Sequence, residues 1–434
     1  MSKIKILVVP SDNRGGVGFY RSTQPHIELE KQFPDEFEVT IDMSPNFSDP
    51  HSLEKYDIIH IHKGLFSENL MPIFHQTLEY LNQKGVVTIM DIDDHWSLSM
   101  YHPMFAGQRY TKSDVAVRDN LHRFKWVTTT TPIFAKEISK FNKNVKVLPN
   151  AIDPTDERFA VNKKPSKFLR VGMIMGSAHE ADVALISNFP KLENVQYVLC
   201  GFDTRGTIRE FDKQTGKSVE RPIKPMESVW YRYEKQVTSN YSIVSPQHKA
   251  LLHQFMWGLQ FPDVENEHYK RCWTKDMNHY YEHYSEIDVL LDPLKTTEFN
   301  RVKSQLKVVE AAFSHTAIIA SDFGPYTLVL KTAIEKGNVL NPEGNVLLVD
   351  ESRNHKDWAK YITRLSKDPD LLKQLQDNLY RDIHEKYDLR NVTKERAQFY
   401  RDIVKEKKEN KNGKDLYNIG RCATRKNPTV RKDL

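Results

Sequence analysis

The most constraining feature of this 434-residue chain is a segment in which a strand, a polar loop, a helix and a second strand follow one another. The apolar runs 287–294 and 316–324 predict the two strands. The residues between them predict the loop and a helix that Ser304 can cap. Strand, helix and strand in this order form a βαβ unit, whose two strands lie parallel in one sheet. The chain must therefore contain a parallel sheet covered by helices.

Three charged residues of this segment stand at helical spacing. Lys303, Lys307 and Glu310 are at positions i, i+4 and i+7, which predicts one helix face. The outer two are about 10 Å apart along the axis, comparable to the reach from the phosphates to the ribose of a nucleoside diphosphate. A lysine beside a helix N-terminus suits phosphate, and a carboxylate can accept from ribose hydroxyls. Taken alone, the three residues favour an ordinary solvent-exposed face.

Length and composition narrow the class of protein. A chain of 434 residues exceeds one ordinary core, which predicts two domains. No run of about 18 apolar residues predicts a membrane span, and the N-terminus lacks the pattern of a signal peptide. The three cysteines are too few and too far apart for a disulfide framework or a zinc cluster. These features predict a cytoplasmic location.

The positive charge of the chain is concentrated at its end. Residues 405–434 hold ten Lys or Arg and four Asp or Glu, a balance of +6, which leaves −1 of the total of +5 for the rest. The folded part is thus not predicted to be a basic nucleic-acid binder. The tail itself is predicted to be a flexible extension, and its alternative is attraction to a membrane surface or to nucleic acid.

Strands and helices alternate through the first 150 residues, which predicts a doubly wound parallel sheet. Polar residues follow three of these strands, at 15–18, 62–64 and 91–95. Ligands collect at the carboxyl ends of such strands. The glycines at 15–18 lack the spacing of a P-loop or dinucleotide fingerprint, so they fit either a tight turn or a ligand contact, which flanking Arg21 favours.

A second set of strands follows a proline- and charge-rich linker at 150–167. The alternation is lost across 203–278, which predicts an elaborated helix–loop region. We therefore expect two α/β domains with a C-terminal helix and a tail, at 1–160, 165–385, 386–404 and 405–434.

Four motifs, in order, resemble those of retaining glycosyltransferase family 4, also called glycosyl transferases group 1. Residues 147–153, V-L-P-N-A-I-D, are similar to the family's V-I-P-N-G-I-D, and 171–182 are similar to a G-W-x-G-S-x-x-H-x-x-D variant. Residues 288–310 resemble D-V-x-L-x-P-L followed by F-N-x-x-K-S-x-x-K-x-x-E. Residues 318–324 match the segment that ends in A-S-D-x-G. The resemblance covers about residues 4–400.

The resemblance implies the GT-B fold, an α/β architecture of two Rossmann-like doubly wound domains that face each other across a cleft. It implies transfer of a sugar from a nucleoside-diphosphate sugar to a glycan, lipid-linked or protein acceptor with retention of configuration, without a cofactor or a metal. The implied catalytic residues are Asp91, Asp93, Asp94, His95 and Lys303. The implied donor-binding residues are Gly16, Gly18, Arg21, Gly176, Ser177, His179, Asn300, Lys303, Ser304, Lys307 and Glu310.

Departures from the family pattern leave alternatives open. The first of two glutamates usual in the family would fall on Val302, so an inactive GT-B scaffold or binding subunit is one alternative. A transferase that glycosylates modified DNA bases is another. His179 and Asp182 could equally serve only to cap a helix. Asp91 and Asp93 also resemble a metal-binding D-x-D, which the two-domain layout disfavours.

Overall fold

The structure, a computed structural model, describes residues 2–12, 15–64, 69–204, 206–212, 217–238, 241–254, 264–335, 339–353 and 355–422. Its N-terminal half contains a six-stranded parallel sheet in the order β2-β1-β3-β4-β5-β6. These strands are β1 (Ile4–Val9), β2 (Phe37–Ile41), β3 (Ile58–His62), β4 (Val87–Ile92), β5 (Trp126–Thr129) and β6 (Val145–Val147).

The C-terminal half contains a second six-stranded parallel sheet in the order β11-β8-β7-β12-β13-β14. The strands from residue 169 on are β7 (Leu169–Ile174), β8 (Val195–Phe202), β9 (Thr207–Asp212), β10 (Lys217–Pro222), β11 (Tyr269–Trp273), β12 (Val289–Asp292), β13 (Ala317–Ser321) and β14 (Leu347–Val349). Strands β9 and β10 form a separate antiparallel hairpin.

Helices cover both sheets. They are α1 (Gly16–Gly18), α2 (Gln24–Gln32), α3 (Pro50–Leu53), α4 (Met71–Lys84), α5 (Phe105–Thr111), α6 (Ser113–Leu121), α7 (Pro132–Ile138), α8 (Glu180–Val183), α9 (Val229–Thr238), α10 (Pro246–Gln254), α11 (Glu298–Arg301), α12 (Leu306–Phe313), α13 (His355–Leu365), α14 (Pro369–Ile383) and α15 (Leu389–Cys422). A π-helical turn, Phe19–Thr23, joins α1 to α2. Short 3-10 turns lie at Glu157–Phe159, Pro225–Glu227, Tyr280–Glu286, Gly324–Leu328 and Glu351–Arg353. Among the described residues, no helix has the length and apolar character needed to cross a lipid bilayer.

Two segments differ from the sequence-based prediction. The region 203–278 contains β11, an edge strand of the second sheet. The charged residues of β11 hide it from a prediction based on apolar runs, because Arg271 is buried in a pair with Glu234 on α9. The C-terminal helix is longer than 386–404 and continues through 405–422, where lysine and glutamate are good helix formers. The rest of the predicted tail lies outside the described residues.

Both faces of each sheet are buried. In β1, Ile6 and Val8 pack with residues of α2 and α15, whereas Leu7 and Val9 pack on the opposite face with residues of α4. Burial on both sides is why the strands read as continuous apolar runs rather than as alternating ones. The predicted α/β class with two doubly wound parallel sheets is confirmed.

The two halves contact each other through a few buried side chains. Val302, which stands where a glutamate was expected, is fully buried and belongs to the hydrophobic cluster of the first sheet. Tyr20 makes the reciprocal contact, because it belongs to the cluster of the second sheet. The pair of Arg301 and Glu137 lies at the same seam, 3.1 Å apart. Apolar packing therefore replaces a carboxylate at residue 302.

We expect Val302→Glu to destabilise the protein by several kcal/mol at neutral pH, since it places a carboxylate in an apolar cluster. Burial raises the folded-state pKa of such a carboxyl, so the deficit relative to wild type should shrink as pH falls toward 4. Urea unfolding at pH 7 and at pH 4 measures this. The near-isosteric control Val302→Thr should show a smaller deficit that does not depend on pH. Equal deficits at both pH values in Val302→Glu would contradict the burial of this position.

Candidate functional site

Two adjoining cavities, together called the cleft here, lie between the halves. Their volumes are about 600 and 660 Å³, and they share Asp94, His179 and Lys303 as lining residues. The first is also lined by Asp93, Asp292, Ser304, Lys307 and Tyr326, and the second by Tyr101, His102, Asp182, Lys295 and Asn300. The cleft thus combines carboxylates of the N-terminal half with lysines of the C-terminal half.

The lysines reach the cleft from a loop and from the start of a helix. Lys303 lies in the loop between α11 and α12 rather than on the predicted helix face, with its Nζ 5.0 Å from the centre of the Phe299 ring. It forms no ion pair within the part of the chain that the structure describes. Lys307 lies in the first turn of α12, where it contacts the Tyr280 hydroxyl. One cation of the cleft is therefore free to meet an anion.

Ser304 also differs from its predicted role. Helix α12 begins at Leu306 without a side-chain cap, and the Ser304 hydroxyl accepts from its backbone N–H only at 3.4 Å. The better hydrogen bond comes from Asn150, whose Nδ2 donates to Ser304 Oγ at 3.1 Å. Ser304 therefore connects the cleft to the N-terminal half.

His179 and Asn300 are held by a common carboxylate. Asp182 accepts from Asn300 Nδ2 and from the Lys295 backbone N–H, both at 2.8 Å, and lies 2.8 Å from His179 Nδ1. Burial, followed by the charge of Lys303, lowers the pKa of His179. The neutral ring donates from Nδ1 to Asp182, which leaves Nε2 as an acceptor. The H-x-x-D motif therefore orients a cleft residue and the loop beside it.

The acidic residues after β4 form the opposite wall. His62 Nε2 lies 3.1 Å from Asp93 Oδ1, and Lys63 Nζ lies 3.5 Å from Asp93 and 3.9 Å from Asp94. Burial alone would raise the pKa of Asp93, but the charge of Lys63 and the His62 hydrogen bond lower it below its ordinary value. Asp93 is therefore ionised and can orient a hydroxyl, but it is a weak base.

Arg21 and Asp91 are not in the cleft, although both were predicted as site residues. Arg21 is 1% exposed and Asp91 is fully buried, and they form a bidentate pair at 2.9 and 2.6 Å. The third guanidinium nitrogen donates to the Leu148 carbonyl at 2.7 Å and to Asn150 Oδ1 at 3.1 Å. Every nitrogen of Arg21 is thus occupied within the N-terminal half, which gives the pair a structural role.

Glu310, the predicted ribose ligand, is 1% exposed and lines neither cavity. Its carboxylate accepts from Tyr20 at 3.1 Å and from Tyr284 at 2.8 Å, with Lys307 Nζ at 3.7 Å. Burial and then the charge of Glu310 raise the pKa of Tyr20. Glu310 is thus bonded within the protein, and its contact with a ribose stays a prediction.

The glycine turn is fixed by Asp12, whose carboxylate accepts from the backbone N–H of Gly15 and, at 3.1 Å, from that of Gly18. A side chain at Gly18 would lie 2.1 Å from the Asp12 carbonyl, so close backbone packing requires this glycine. Gly16 faces the C-terminal half, where a side chain would lie 3.4 Å from the Met277 sulfur. The turn therefore lies at the seam between the halves, and neither cavity is lined by Gly16 or Gly18.

The remaining predicted residues lie outside the cavity walls. His95 stacks on Trp96, with ring centres 4.4 Å apart, and its Nδ1 accepts from the Ser97 backbone N–H. Gly176 and Ser177 are exposed after β7, where the Gly176 carbonyl accepts from Tyr233 at 3.1 Å. His95 thus packs on an aromatic ring and lines neither cavity, and its catalytic role stays a prediction.

Asp292 and Tyr326 line the cleft but were not among the predicted site residues. Asp292 ends β12, is 4% exposed and lines the same cavity as Tyr326 on the turn after β13. Burial raises the pKa of Asp292 to about 6. An aspartate at the end of an otherwise apolar strand, followed by Pro293, was the available signal. As for metals, no group of three or more His, Cys, Asp or Glu that could hold an ion is found among the described residues.

Comparison of sequences finds no matching family model and no matching curated protein. Comparison of structures finds sucrose-phosphate synthase from Thermosynechococcus elongatus, at 12% identity and a TM-score of 0.57 over 94% of this chain and 100% of that chain. It also finds HepE from Anabaena in complex with UDP and glucose, at 12% identity and a TM-score of 0.53 over 92% and 99%. The fold is GT-B.

A third similar structure has the same two-domain fold. It is an α-glucosyltransferase in complex with UDP and a 13-mer DNA containing an HMU base, at 11% identity and a TM-score of 0.53 over 93% of this chain and 99% of that chain. Identities this low establish the fold alone. The GT-B prediction drawn from the motifs is confirmed.

We expect Arg21→Ala to lower the free energy of unfolding by about 3–5 kcal/mol, because it leaves the buried Asp91 carboxylate unpaired. Urea unfolding measures the loss. The control Lys373→Ala breaks an exposed pair with Asp377 and should change stability by at most about 1 kcal/mol. A loss in Arg21→Ala no larger than that of the control would show that the pair is dispensable.

Proposed function

We propose that this protein is a glycosyltransferase that uses a nucleoside-diphosphate sugar. The carrying observation is the unpaired Lys303 ammonium in a cleft between two doubly wound sheets, opposite the carboxylates of Asp93 and Asp94. The GT-B fold shared with sucrose-phosphate synthase and with HepE, which was crystallised with UDP and glucose, supports the proposal. UDP-sugars are accordingly the first donors to test.

Breaking the bond between a sugar and a diphosphate builds negative charge on the departing phosphate. Fixed cations stabilise that charge without covalent chemistry. In our proposal Lys303, Lys307 and the N-terminal turn of α12 bind the diphosphate, and Ser304 adds a hydroxyl. Asp93, which stays ionised, and Asp94 orient the sugar or the acceptor hydroxyl from the other wall.

Membership of family 4 and retention of configuration belong to the same proposal, and the four sequence motifs support them. Retention by front-side attack lets the departing phosphate take the acceptor proton. This assignment suits a cleft whose Asp93 is a weak base. The proposal also includes the reaction itself, which is transfer of a hexose to a glycan, lipid-linked or protein acceptor, in the cytoplasm or at a membrane surface.

A second candidate reaction is transfer of a sugar to modified DNA bases. The similarity to the α-glucosyltransferase bound to DNA favours it, as does the basic segment 405–434. Incubation with UDP-glucose and DNA containing hydroxymethyluracil tests it directly. With radiolabelled glucose in the donor, transfer of label to the DNA by both the full chain and a chain ending at residue 404 would support this reaction. Turnover of the donor without labelling of the DNA would exclude it.

We expect Lys303→Met to weaken binding of UDP by about 10-fold or more, since a charge-assisted hydrogen bond contributes about 1.5–3 kcal/mol. Methionine keeps an apolar chain over Phe299, so the fold is retained. The control Lys331→Met removes an exposed lysine that pairs with Asp382 away from the cleft, and should bind as wild type does. Calorimetric titration measures both.

Release of free sugar from UDP-, GDP- and ADP-sugars tests catalysis itself. Wild type should hydrolyse the sugars of one nucleotide, and Lys303→Met should hydrolyse those same sugars much more slowly. Binding without turnover in every series would favour the inactive scaffold, and unchanged turnover in Lys303→Met would refute the placement of the diphosphate.

A further inference from the structure

The carboxyl group of Asp292 lines the cleft, is not used by the proposed phosphate chemistry and is incompletely hydrogen bonded among the described residues. It ends β12, a central strand of the second sheet, at the carboxyl edge where ligands of such sheets bind. The side chain is 4% exposed, and its Oδ2 has no hydrogen-bond partner among the described residues. The Tyr326 side chain lines the same cavity.

A buried polar atom without a partner costs free energy, and native structures avoid the cost unless a ligand or a bound water supplies the missing bond. The surroundings explain why Asp292 is not satisfied internally. Lys303 and Lys307 both act on it electrostatically, but neither forms an ion pair with it. Burial therefore dominates and raises the pKa of Asp292 to about 6.

The neighbours of Asp292 define what it can bind. It shares one cavity of the cleft with Lys303, Ser304 and Lys307, which the proposed function assigns to the diphosphate. A carboxylate repels phosphate oxygens, so its ligand must be a hydrogen-bond donor that lies next to the phosphates. In a nucleoside-diphosphate sugar, a hydroxyl of the transferred sugar meets this requirement.

We propose that Asp292 accepts a hydrogen bond from a hydroxyl of the donor sugar and so determines which sugar the cleft holds. This inference rests on the proposed function. It adds a specificity-determining residue on the wall of the cleft that also binds the diphosphate, whereas Asp93 and Asp94 lie on the opposite wall.

The test compares a nucleotide with its sugar conjugate. Calorimetry measures binding of UDP, GDP and ADP, and of UDP-glucose, UDP-N-acetylglucosamine, GDP-mannose and ADP-glucose, to wild type, Asp292→Asn and Asp292→Ala. For the nucleotide sugar that wild type binds most tightly, we expect Asp292→Ala to lose about 10-fold or more in affinity. Asp292→Asn keeps an acceptor oxygen and should lose less. Binding of the corresponding free nucleotide should change by less than about 3-fold in either variant.

The matched control is Asp322→Asn. Asp322 follows the neighbouring strand β13 at the same edge of the sheet but is exposed and lines neither cavity. The Asp322→Asn variant should bind the nucleotide and the nucleotide sugar as wild type does. Urea unfolding of all variants checks that the fold persists.

The outcomes separate this inference from the proposed function. If wild type binds none of the nucleotides or their sugars, the proposed function fails. If wild type binds them and both Asp292 variants bind the sugar conjugate as tightly as wild type, the inference alone is overturned. Equal losses for nucleotide and nucleotide sugar would also overturn it, because they would place Asp292 at the diphosphate rather than at the sugar.

Discussion

The buried pair of Arg21 and Asp91 anchors the hydrogen-bond network that links the first sheet to the wall of the cleft. Two charges removed from water are tolerated only when they are paired and fully hydrogen bonded, and here every guanidinium nitrogen has a partner. The pair joins the turn after β1 to the end of β4. Through Asn150 the same network continues to Ser304 on the other side of the cleft. One chain of hydrogen bonds thus runs from the core of the first sheet to the wall of the site.

The two walls of the cleft differ chemically. On the N-terminal side Lys63 lies 3.5 Å from the Asp93 carboxylate and 3.9 Å from that of Asp94, and His62 hydrogen bonds with Asp93. On the C-terminal side Lys303 has no counter-ion among the described residues, and Asp292 is incompletely bonded. The acidic residues of the first wall have a cation beside them, whereas Lys303 of the second wall has no counter-ion among the described residues. A diphosphate and its sugar supply the groups that the second wall is missing.

The seam between the halves is built by apolar and aromatic residues at positions where a charged or ligand-binding role was expected. Val302 fills a pocket of the first core, so a glutamate there would be buried without a partner. Tyr20 reaches across to Glu310, which also accepts from Tyr284. Burial of these groups stabilises the closed contact of the halves, and it also removes Glu310 from the cleft.

The sequence by itself determined the doubly wound sheets, because runs such as Ile4–Val9 and Val289–Asp292 can be buried on both faces only in a parallel sheet covered by helices. It also placed Asp93 and Asp94 directly after a strand, where the cleft has them, whereas Lys303, predicted on a helix face, lies in a loop. What only the tertiary structure decided is which polar residues remain available. Arg21, Asp91 and Glu310 share the residue types and the spacing of ligand-binding groups, but partners distant in sequence, such as Leu148 for Arg21 and Tyr20 for Glu310, satisfy them. Asp292 looks like the end of a buried strand and becomes a candidate only because nothing else in the described structure completes its hydrogen bonds. Hydrogen-bond satisfaction is a property of the folded neighbourhood, and local sequence does not encode it.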